Sequence, residues 1–150
     1  MSFPTQVLPA HHKHCEDLFV AAEDAVHGAD WAAAARAFDH LHDQMKAHFE
    51  AEENLLFPAF EAATGMSAGP TEMMRYEHEQ MRSLLAQLAA ACAAHDGDGY
   101  AGIAETLLML MQQHNMKEEN ILYPMCDRAL GAEAERIGAD IGALLEQGHA

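Results

Sequence analysis

The sequence has few features that would anchor the chain in a membrane, cross-link it through disulfides or direct its export. It contains three cysteines in 150 residues, and they form neither an even set nor a C-x-x-C pair, which argues against a disulfide framework and against a structural zinc site. No charged and apolar leader opens the chain, and no apolar run reaches the roughly 18 residues that a membrane span requires. We therefore expect a reduced, cytoplasmic protein that does not associate with a membrane.

Positive charge is also scarce, because 8 Lys and Arg residues stand against 24 Asp and Glu residues, for a formal net charge of −16. Such a surface repels phosphate groups, so neither nucleic acid nor an anionic membrane surface is an expected partner. β-Branched residues are few, whereas Ala, Leu and Met are abundant, which favours helices over a sheet. Half of the residues are hydrophobic. This predicts a single all-α domain over residues 1–150.

Apolar residues recur at helical spacing in four long segments, which predicts an up-down four-helix bundle with a short extra C-terminal helix. The four segments pair into two helical hairpins, at about 8–61 and 71–129, and the tail helix covers about 132–146. The tail helix is amphipathic, so a homodimer formed through it is possible.

Three details of the helices are predicted from single positions. Pro9 suits the first turn of the first helix, where its missing N–H costs nothing. Pro58 is expected to bend or end the second helix. In the fourth helix the inward face is expected to continue from Glu118 to Ile121 and Leu122.

One eleven-residue string occurs twice: HFEAEENLLFP at 48–58 returns as HNMKEENILYP at 114–124. In each copy a His and a Glu four residues apart lie on one face of a helix. The same shift of 66 residues places the single His of one hairpin on that of the other. Because antiparallel neighbours bring these positions to one level of the bundle, the side chains should converge. The resulting inventory is His12, His48, Glu52, His78, His114 and Glu118.

A metal site explains this inventory better than an ordinary core does. A single inward His is usually a hydrogen-bonded core residue, but Glu52 and Glu118 lie on apolar stripes, where an uncompensated carboxylate is costly to bury. Imidazole and carboxylate ligands suit iron, manganese or zinc, and two bridging carboxylates with four imidazoles suit a pair of ions. The protein would then fill about eight of twelve positions in two octahedra. The alternative is a helical bundle with a vestigial site.

The remaining polar and sulfur-containing side chains receive simpler interpretations. His11 or His14 could take the place of His12 after a small register change in the first helix, although the repeat favours His12. Glu53 and Glu119 are expected to face water. The inward methionines could suggest a copper site but are expected to fill the core; they are Met45, Met74, Met81 and Met111. The histidines expected to be solvated are His27, His40, His42, His95 and His149.

His12, the Glu77-His78 pair and the two H-x-x-x-E-E-N-[LI]-L-[FY]-P strings resemble the hemerythrin-like HHE cation-binding family, over nearly the whole chain to Pro124. The resemblance implies a four-helix bundle with a non-haem di-iron centre, oxo- or hydroxo-bridged, with zinc or manganese less expected. It implies the six residues as iron ligands, with both glutamates bridging. The chain is similar to stand-alone bacterial members. Arg82 stands where oxygen-carrying hemerythrins have a second His, which argues against simple reversible oxygen carriage.

Three functions are compatible with that resemblance. The leading hypothesis is a di-iron protein that binds O₂, NO or peroxide at the iron pair, in oxidative or nitrosative stress response or in iron-centre repair. The first alternative is a di-iron oxidoreductase acting on NO or peroxide, with Tyr123 as an electron or proton donor. The second is an iron storage, delivery or sensing module without catalysis. A protein that binds metal and a small ligand is favoured over a classical enzyme.

Overall fold

The computed structural model describes residues 3–147, and within that range it contains helices and turns but no strand. Its seven α-helices are α1 (Pro4–His27), α2 (Trp31–Ala51), α3 (Phe57–Thr64), α4 (Pro70–Ala93), α5 (Gly97–Lys117), α6 (Tyr123–Leu130) and α7 (Ala134–Gln147). One π-helical turn, Glu52–Leu56, joins α2 to α3, and a second, Glu118–Leu122, joins α5 to α6. A 3₁₀ turn, Gly131–Glu133, precedes α7. The predicted all-α fold with four long helices and a C-terminal helix is confirmed.

The internal repeat determines where the helices begin and end. α4, α5 and α6 have the bounds of α1, α2 and α3 shifted by 66 residues. The turn inside each hairpin is also the same, because Ala29 and His95 have positive φ angles of 56° and 55°. Asp30 and Asp96 follow them, and the side chain of each accepts a backbone N–H at the start of the next helix, at 3.2 Å and 2.9 Å. The two hairpins are therefore built on one plan.

The four long helices form a closed ring, because α1 contacts α2 and α5, and α4 contacts the same two neighbours. Their inward side chains divide into two apolar clusters. One contains Met45, Met81 and Met111, and the other contains Met74, so the prediction that these methionines fill the core is confirmed. Along each helix the inward histidine lies between residues of one cluster and residues of the other. A polar layer thus crosses the middle of an otherwise apolar core.

The π-helical turns explain why one core prediction was wrong. A π turn holds one more residue than the corresponding α turn, so the inward face shifts by about one position after it. Ile121, predicted to face inward, is 58% exposed, while Leu122 and Tyr123 are buried. The same turn accommodates Pro58, because the hydrogen-bond pattern changes there. The second long helix consequently continues through α3 to Thr64 rather than ending at Pro58.

The first helix starts earlier than predicted. Pro4 occupies its first turn, and the Gln6 side chain accepts a hydrogen bond from the Phe3 N–H at 3.2 Å. Pro9 therefore lies inside α1, and its assignment to the first turn was wrong. The reason is that an earlier proline already supplies the fixed φ that suits a helix start.

α7 packs back onto the bundle that precedes it. Ile137, Ile141 and Leu145 are buried, and the helix contacts α1, α2 and the first π turn. The apolar face that offered a route to a homodimer is thus covered within the chain. None of the helices in residues 3–147 is long and apolar enough to cross a bilayer.

Candidate metal centre

The structure gathers all six sequence-predicted side chains in the polar layer, and none of the six residues is more than 4% exposed. They form two overlapping groups in which the candidate ligand atoms lie within 4.8 Å of one another. The first group is Glu52, His78, His114 and Glu118. The second group is His12, His48 and Glu118. Such a set of buried imidazoles and carboxylates fits metal binding.

Each carboxylate faces one histidine of its own hairpin and one of the other. Glu118 Oε1 lies 3.1 Å from His114 Nε2 and 3.1 Å from His12 Nε2. Glu52 Oε1 lies 3.0 Å from His78 Nε2 and 3.6 Å from His48 Nε2. The arrangement follows the repeat, so the two glutamates occupy equivalent places between the hairpins.

Several of these atoms are buried without a hydrogen bond from any residue the structure describes. They are Nε2 of His48, His78 and His114, Oε1 of Glu52 and Oε2 of Glu118. The short distances between them do not have hydrogen-bond geometry. Buried polar atoms are nearly always paired. A metal cation accepts lone pairs from nitrogen and oxygen together, so these atoms fit metal binding.

The outward ring nitrogens of two histidines are bound to the acidic residues that follow the ligand glutamates. His78 Nδ1 lies 2.6 Å from Glu53 Oε2, and Glu53 also accepts hydrogen bonds from Arg82 at 2.9 Å. His12 Nδ1 lies 2.7 Å from Glu119 Oε2. The expectation that Glu53 simply faces water was wrong, because it lies half-buried against His78 and Arg82. Glu119 is exposed as expected, but it also contacts His12. The acidic doublet in both copies of the string was the available signal.

The other two histidines have different partners. His114 Nδ1 lies 2.8 Å from Glu77 Oε1, and Lys117 contacts the other oxygen of Glu77. His48 Nδ1 lies 2.9 Å from His11 Nδ1, and His11 Nε2 lies 2.9 Å from the side-chain oxygen of Gln44. His11 is therefore buried behind a ligand candidate. Periodicity along one helix could not reveal this contact between helices.

Every predicted histidine thus uses Nδ1 for an outward contact and presents Nε2 to the cluster. Of the histidines expected to be solvated, four are exposed, and they are His27, His40, His42 and His95. His149 lies outside the described residues. Of His11, His12 and His14, His12 is the one that brings a nitrogen into the groups of candidate ligand atoms.

The pKa values of the clustered side chains are shifted because acids and bases are packed closely together and buried. Burial and the adjacent Glu118 raise the pKa of Glu52 to about 7. Burial also opposes ionisation of Glu118, but the imidazolium of His114 outweighs it and holds the pKa of Glu118 well below its usual value. At His114 burial disfavours the charged form, yet Glu118 raises its pKa to about 10. Burial and the neighbouring His12 lower the pKa of His48, so its imidazole is neutral and ready to ligate.

Tyr123 adds a further polar side chain to the centre of the cluster. Its hydroxyl lies 2.7 Å from Glu52 Oε2 and 2.9 Å from Glu118 Oε1. A hydroxyl has one proton, so it donates to one carboxylate at a time. Burial and the two carboxylates raise the pKa of Tyr123 well above its usual value, which keeps the phenol protonated.

A cavity of about 20 Å³ adjoins the cluster on the side of the hairpin turns. Besides three of the histidines, its walls are formed by three methionines together with Cys15, Phe49 and Asn115. A water molecule needs roughly 10–15 Å³ of such volume. The space therefore admits about one molecule of two or three atoms, in mainly apolar surroundings.

Comparison with known proteins places these features in a family. The model of the "Hemerythrin HHE cation binding domain" matches residues 4–126, which include all six side chains. The "Iron-sulfur cluster repair protein YtfE" of Musicola paradisiaca is 33% identical over 140 residues, covering 83% of this chain and 61% of that protein. Its counterpart from Edwardsiella ictaluri is 33% identical over 108 residues, covering 65% and 47%. The chain thus spans about half to three-fifths of the length of these relatives, and no solved structure matches it. The chain belongs to the hemerythrin HHE cation-binding family.

Proposed function

We propose that the chain binds two iron ions, one at His12 and His48 and the other at His78 and His114, with Glu52 and Glu118 between them. We further propose that the iron pair binds O₂, NO or peroxide, in the response to oxidative or nitrosative stress or in the repair of iron centres. The observation that carries this proposal is the set of buried nitrogen and oxygen atoms that have no hydrogen-bond partner among the described residues.

The donor set fits iron on chemical grounds. Imidazole nitrogens and carboxylate oxygens suit iron, and no thiolate belongs to either group of candidate ligand atoms. Because each Nδ1 is engaged outward, each Nε2 can offer its lone pair inward, which is the tautomer that ligation requires. Two carboxylates placed between histidines of both hairpins are also suited to contact two ions. These six residues are therefore the proposed ligands.

Protons take the place of the cations in the metal-free cluster. The raised pKa of His114, about 10, means that it holds a proton near neutral pH, and the raised pKa of Glu52, about 7, means that it is about half protonated there. Metal ligation requires the deprotonated forms, so metal binding is coupled to proton release and weakens as the pH falls.

Bound iron would supply a Lewis-acidic, redox-active centre with positions left open for a small ligand. The chain's own residues define which ligand can reach it. The cavity beside the cluster, with Met45, Met81 and Met111 in its walls, has room for about one diatomic molecule or peroxide. The hydroxyl oxygen of Tyr123 lies 2.7 Å from Glu52 Oε2, so the phenol can donate a hydrogen bond that orients that carboxylate.

The role in iron-centre repair is supported by the relatives, which are named iron-sulfur cluster repair protein YtfE. The Musicola paradisiaca protein aligns with 83% of this chain, and the family model spans all six candidate ligands. Those proteins are longer than this chain. We therefore propose for this chain only the part of their activity that the helical bundle would carry. At a minimum, that activity would be reversible binding of iron and of a small reactive ligand.

Metal analysis combined with an optical spectrum tests the proposal. We expect two iron ions per chain after anaerobic loading, and spectral changes when NO or O₂ is added. Replacing Glu52 and Glu118 together by Ala should abolish formation of the pair, whereas Glu105→Gln, at an exposed position on α5, should change nothing. Full iron stoichiometry in the double variant would refute the bridging roles. Iron-loaded protein that gives no spectral response to any of these ligands would refute small-ligand binding.

A di-iron oxidoreductase is the second candidate, and the position of Tyr123 is the observation that favours it. A protonated phenol beside both glutamates is placed to deliver a proton or an electron to the centre. Turnover of NO or peroxide with a supplied reductant would distinguish the two functions, because a binding protein gives a stoichiometric signal and no product. A Tyr123→Phe variant that turns over as fast as the parent would remove Tyr123 from that reaction.

A further inference from the structure

The outward contacts of the four histidines are not equivalent. Three of the Nδ1 atoms face a carboxylate, at 2.6 to 2.8 Å, and those carboxylates are Glu53, Glu77 and Glu119. The fourth, on His48, faces the imidazole of His11 at 2.9 Å. Both rings are buried and nearly parallel, with an interplanar angle of 11°. Among the four histidines, His48 is thus the one whose Nδ1 contacts an imidazole and not a carboxylate.

The hydrogen-bond chain behind His48 has one arrangement compatible with metal ligation. If Nε2 of His48 offers its lone pair inward, the proton of that ring is on Nδ1 and is donated to His11. His11 Nδ1 then accepts, and its own proton is on Nε2, 2.9 Å from the side-chain oxygen of Gln44. In this arrangement the group behind His48 is an imidazole that accepts a hydrogen bond, and not a carboxylate.

The repeat supplies an internal reference for this difference. The residue 66 positions after His11 is Glu77, the partner of His114, and Lys117 lies next to that carboxylate. The first hairpin therefore places an imidazole behind the histidine of its H-x-x-x-E pair, and the second places a carboxylate behind the equivalent histidine. A carboxylate partner makes an imidazole a more basic and better oriented ligand, and losing such a partner typically costs about 10–100-fold in metal affinity.

From this asymmetry we propose that the two metal positions are unequal, and that the one flanked by His12 and His48 is the weaker and readily exchanged position. His11 is the positioning residue that sets the difference, because it acts on the metal through His48. The position flanked by His78 and His114 has carboxylates behind both of its histidines, so it fills first and empties last. A protein of this kind can give up one ion while the other keeps the bundle assembled. This inference rests on the proposed binding of two ions.

A chelator-competition titration tests the inequality. The full-length chain is stripped of metal and titrated anaerobically with Fe²⁺, and the two dissociation constants are measured separately. We expect two steps that differ by about 10–100-fold, the range associated with a carboxylate behind a ligand histidine. Two equal steps would overturn the inference while leaving the proposed function intact. Binding of fewer than two ions would instead refute the proposed function.

Single-ligand variants show which position is weaker. His48→Ala should remove the weak step and leave the tight step unchanged within about threefold. His78→Ala should remove the tight step. The opposite assignment, with the tight step lost in the His48 variant, would overturn the inference. His42→Gln, an exposed position on the same helix, is the matched control and should leave both steps as they are.

Exchanging the two partners tests His11 itself. His11→Glu gives the first hairpin the acid that the second hairpin has at the repeat position, and it should tighten the weak step by at least tenfold. Glu77→Gln should weaken the tight step by about 10–100-fold and bring the two steps together. If His11→Glu does not fold, the Glu77 variant decides alone, because a tight step that does not move would show that these partners do not set affinity.

Discussion

The two hairpins have the same helix bounds, the same turn and cap, the same π turn and the same three inward donors, but they surround those donors differently. At one repeat position the first hairpin has Phe57, stacked 5.7 Å from His78, and the second has Tyr123, stacked 5.8 Å from His12. The backbone and the rings are matched, and the hydroxyl is the difference. The backbone features that position the candidate ligands are thus the same in both hairpins, whereas the polarity of the side chains around those ligands differs.

A second contrast concerns the acids that follow the ligand glutamates. Glu53 is held by Arg82, whose guanidinium also lies over the Phe49 ring at 5.2 Å, and its side chain is 18% exposed. Glu119 is its counterpart in the second hairpin, and its side chain is 39% exposed. Because an ordered, partly buried ion pair loses less to solvent screening than an exposed one, the first hairpin fixes its acid more firmly. The two hairpins should therefore respond unequally to the same substitution.

The largest expected effect in this comparison is that of Glu53→Gln against Glu119→Gln. Removing the acid behind His78 should weaken metal binding by about 10–100-fold, because the histidine loses the partner that orients it and makes it basic. Removing the acid behind His12 should cost less, since that contact is more exposed. Chelator competition on both variants measures the ratio directly. A larger loss in the Glu119 variant would contradict this ranking of the two acids.

The Glu53 substitution also has a pH signature in the metal-free protein. Burial opposes ionisation of Glu53, but its hydrogen bonds to His78 and Arg82 outweigh burial and lower its pKa from 4.5 to about 2. A lowered folded-state pKa contributes stability that is complete above pH 4.5 and is lost as the pH falls towards 2. Urea denaturation between those values should therefore depend less on pH in Glu53→Gln than in the parent. If the free energy of unfolding depends on pH equally in both proteins, Glu53 is not the source of that dependence.

Helix periodicity and the repeat were sufficient to predict the four long helices and to select six side chains that meet in the bundle, because both signals depend on spacing along single helices. The exposure of Ile121 was not predictable in that way, since a π turn interrupts the helical period of about 3.6 residues. The places of Glu53 and His11 depend on contacts between helices. A spacing along one helix says which face a residue occupies but not what it touches.

Tyr123→Phe removes the hydroxyl that distinguishes the two hairpins at the ring position. In the metal-free protein this leaves Glu52 and Glu118 without their shared donor in a fully buried place. We expect a loss of about 1–3 kcal/mol in the free energy of unfolding, the usual cost of an unsatisfied buried polar group. Urea denaturation measures it, with Tyr76→Phe, at a 61% exposed position, as the control. Equal stabilities for the Tyr123 variant and the parent would show that the phenol does not satisfy the carboxylates.

The smallest effect should come from the feature that the hairpins share most closely, the Asp caps of α2 and α5. Asp30 and Asp96 each accept a backbone N–H at the helix start, so Asp30→Ala and Asp96→Ala should each lower the free energy of unfolding by about 1 kcal/mol. Asp→Asn at either position should restore most of the loss, because Asn also accepts that hydrogen bond. Thermal or urea denaturation of the four variants tests whether the two turns are energetically equivalent. A difference of more than about 1 kcal/mol between the two Ala variants would mean that side chains around the turns, and not the backbone alone, determine their stability. One such side chain is His95, whose ring stacks on Trp31 with a centroid distance of 4.8 Å.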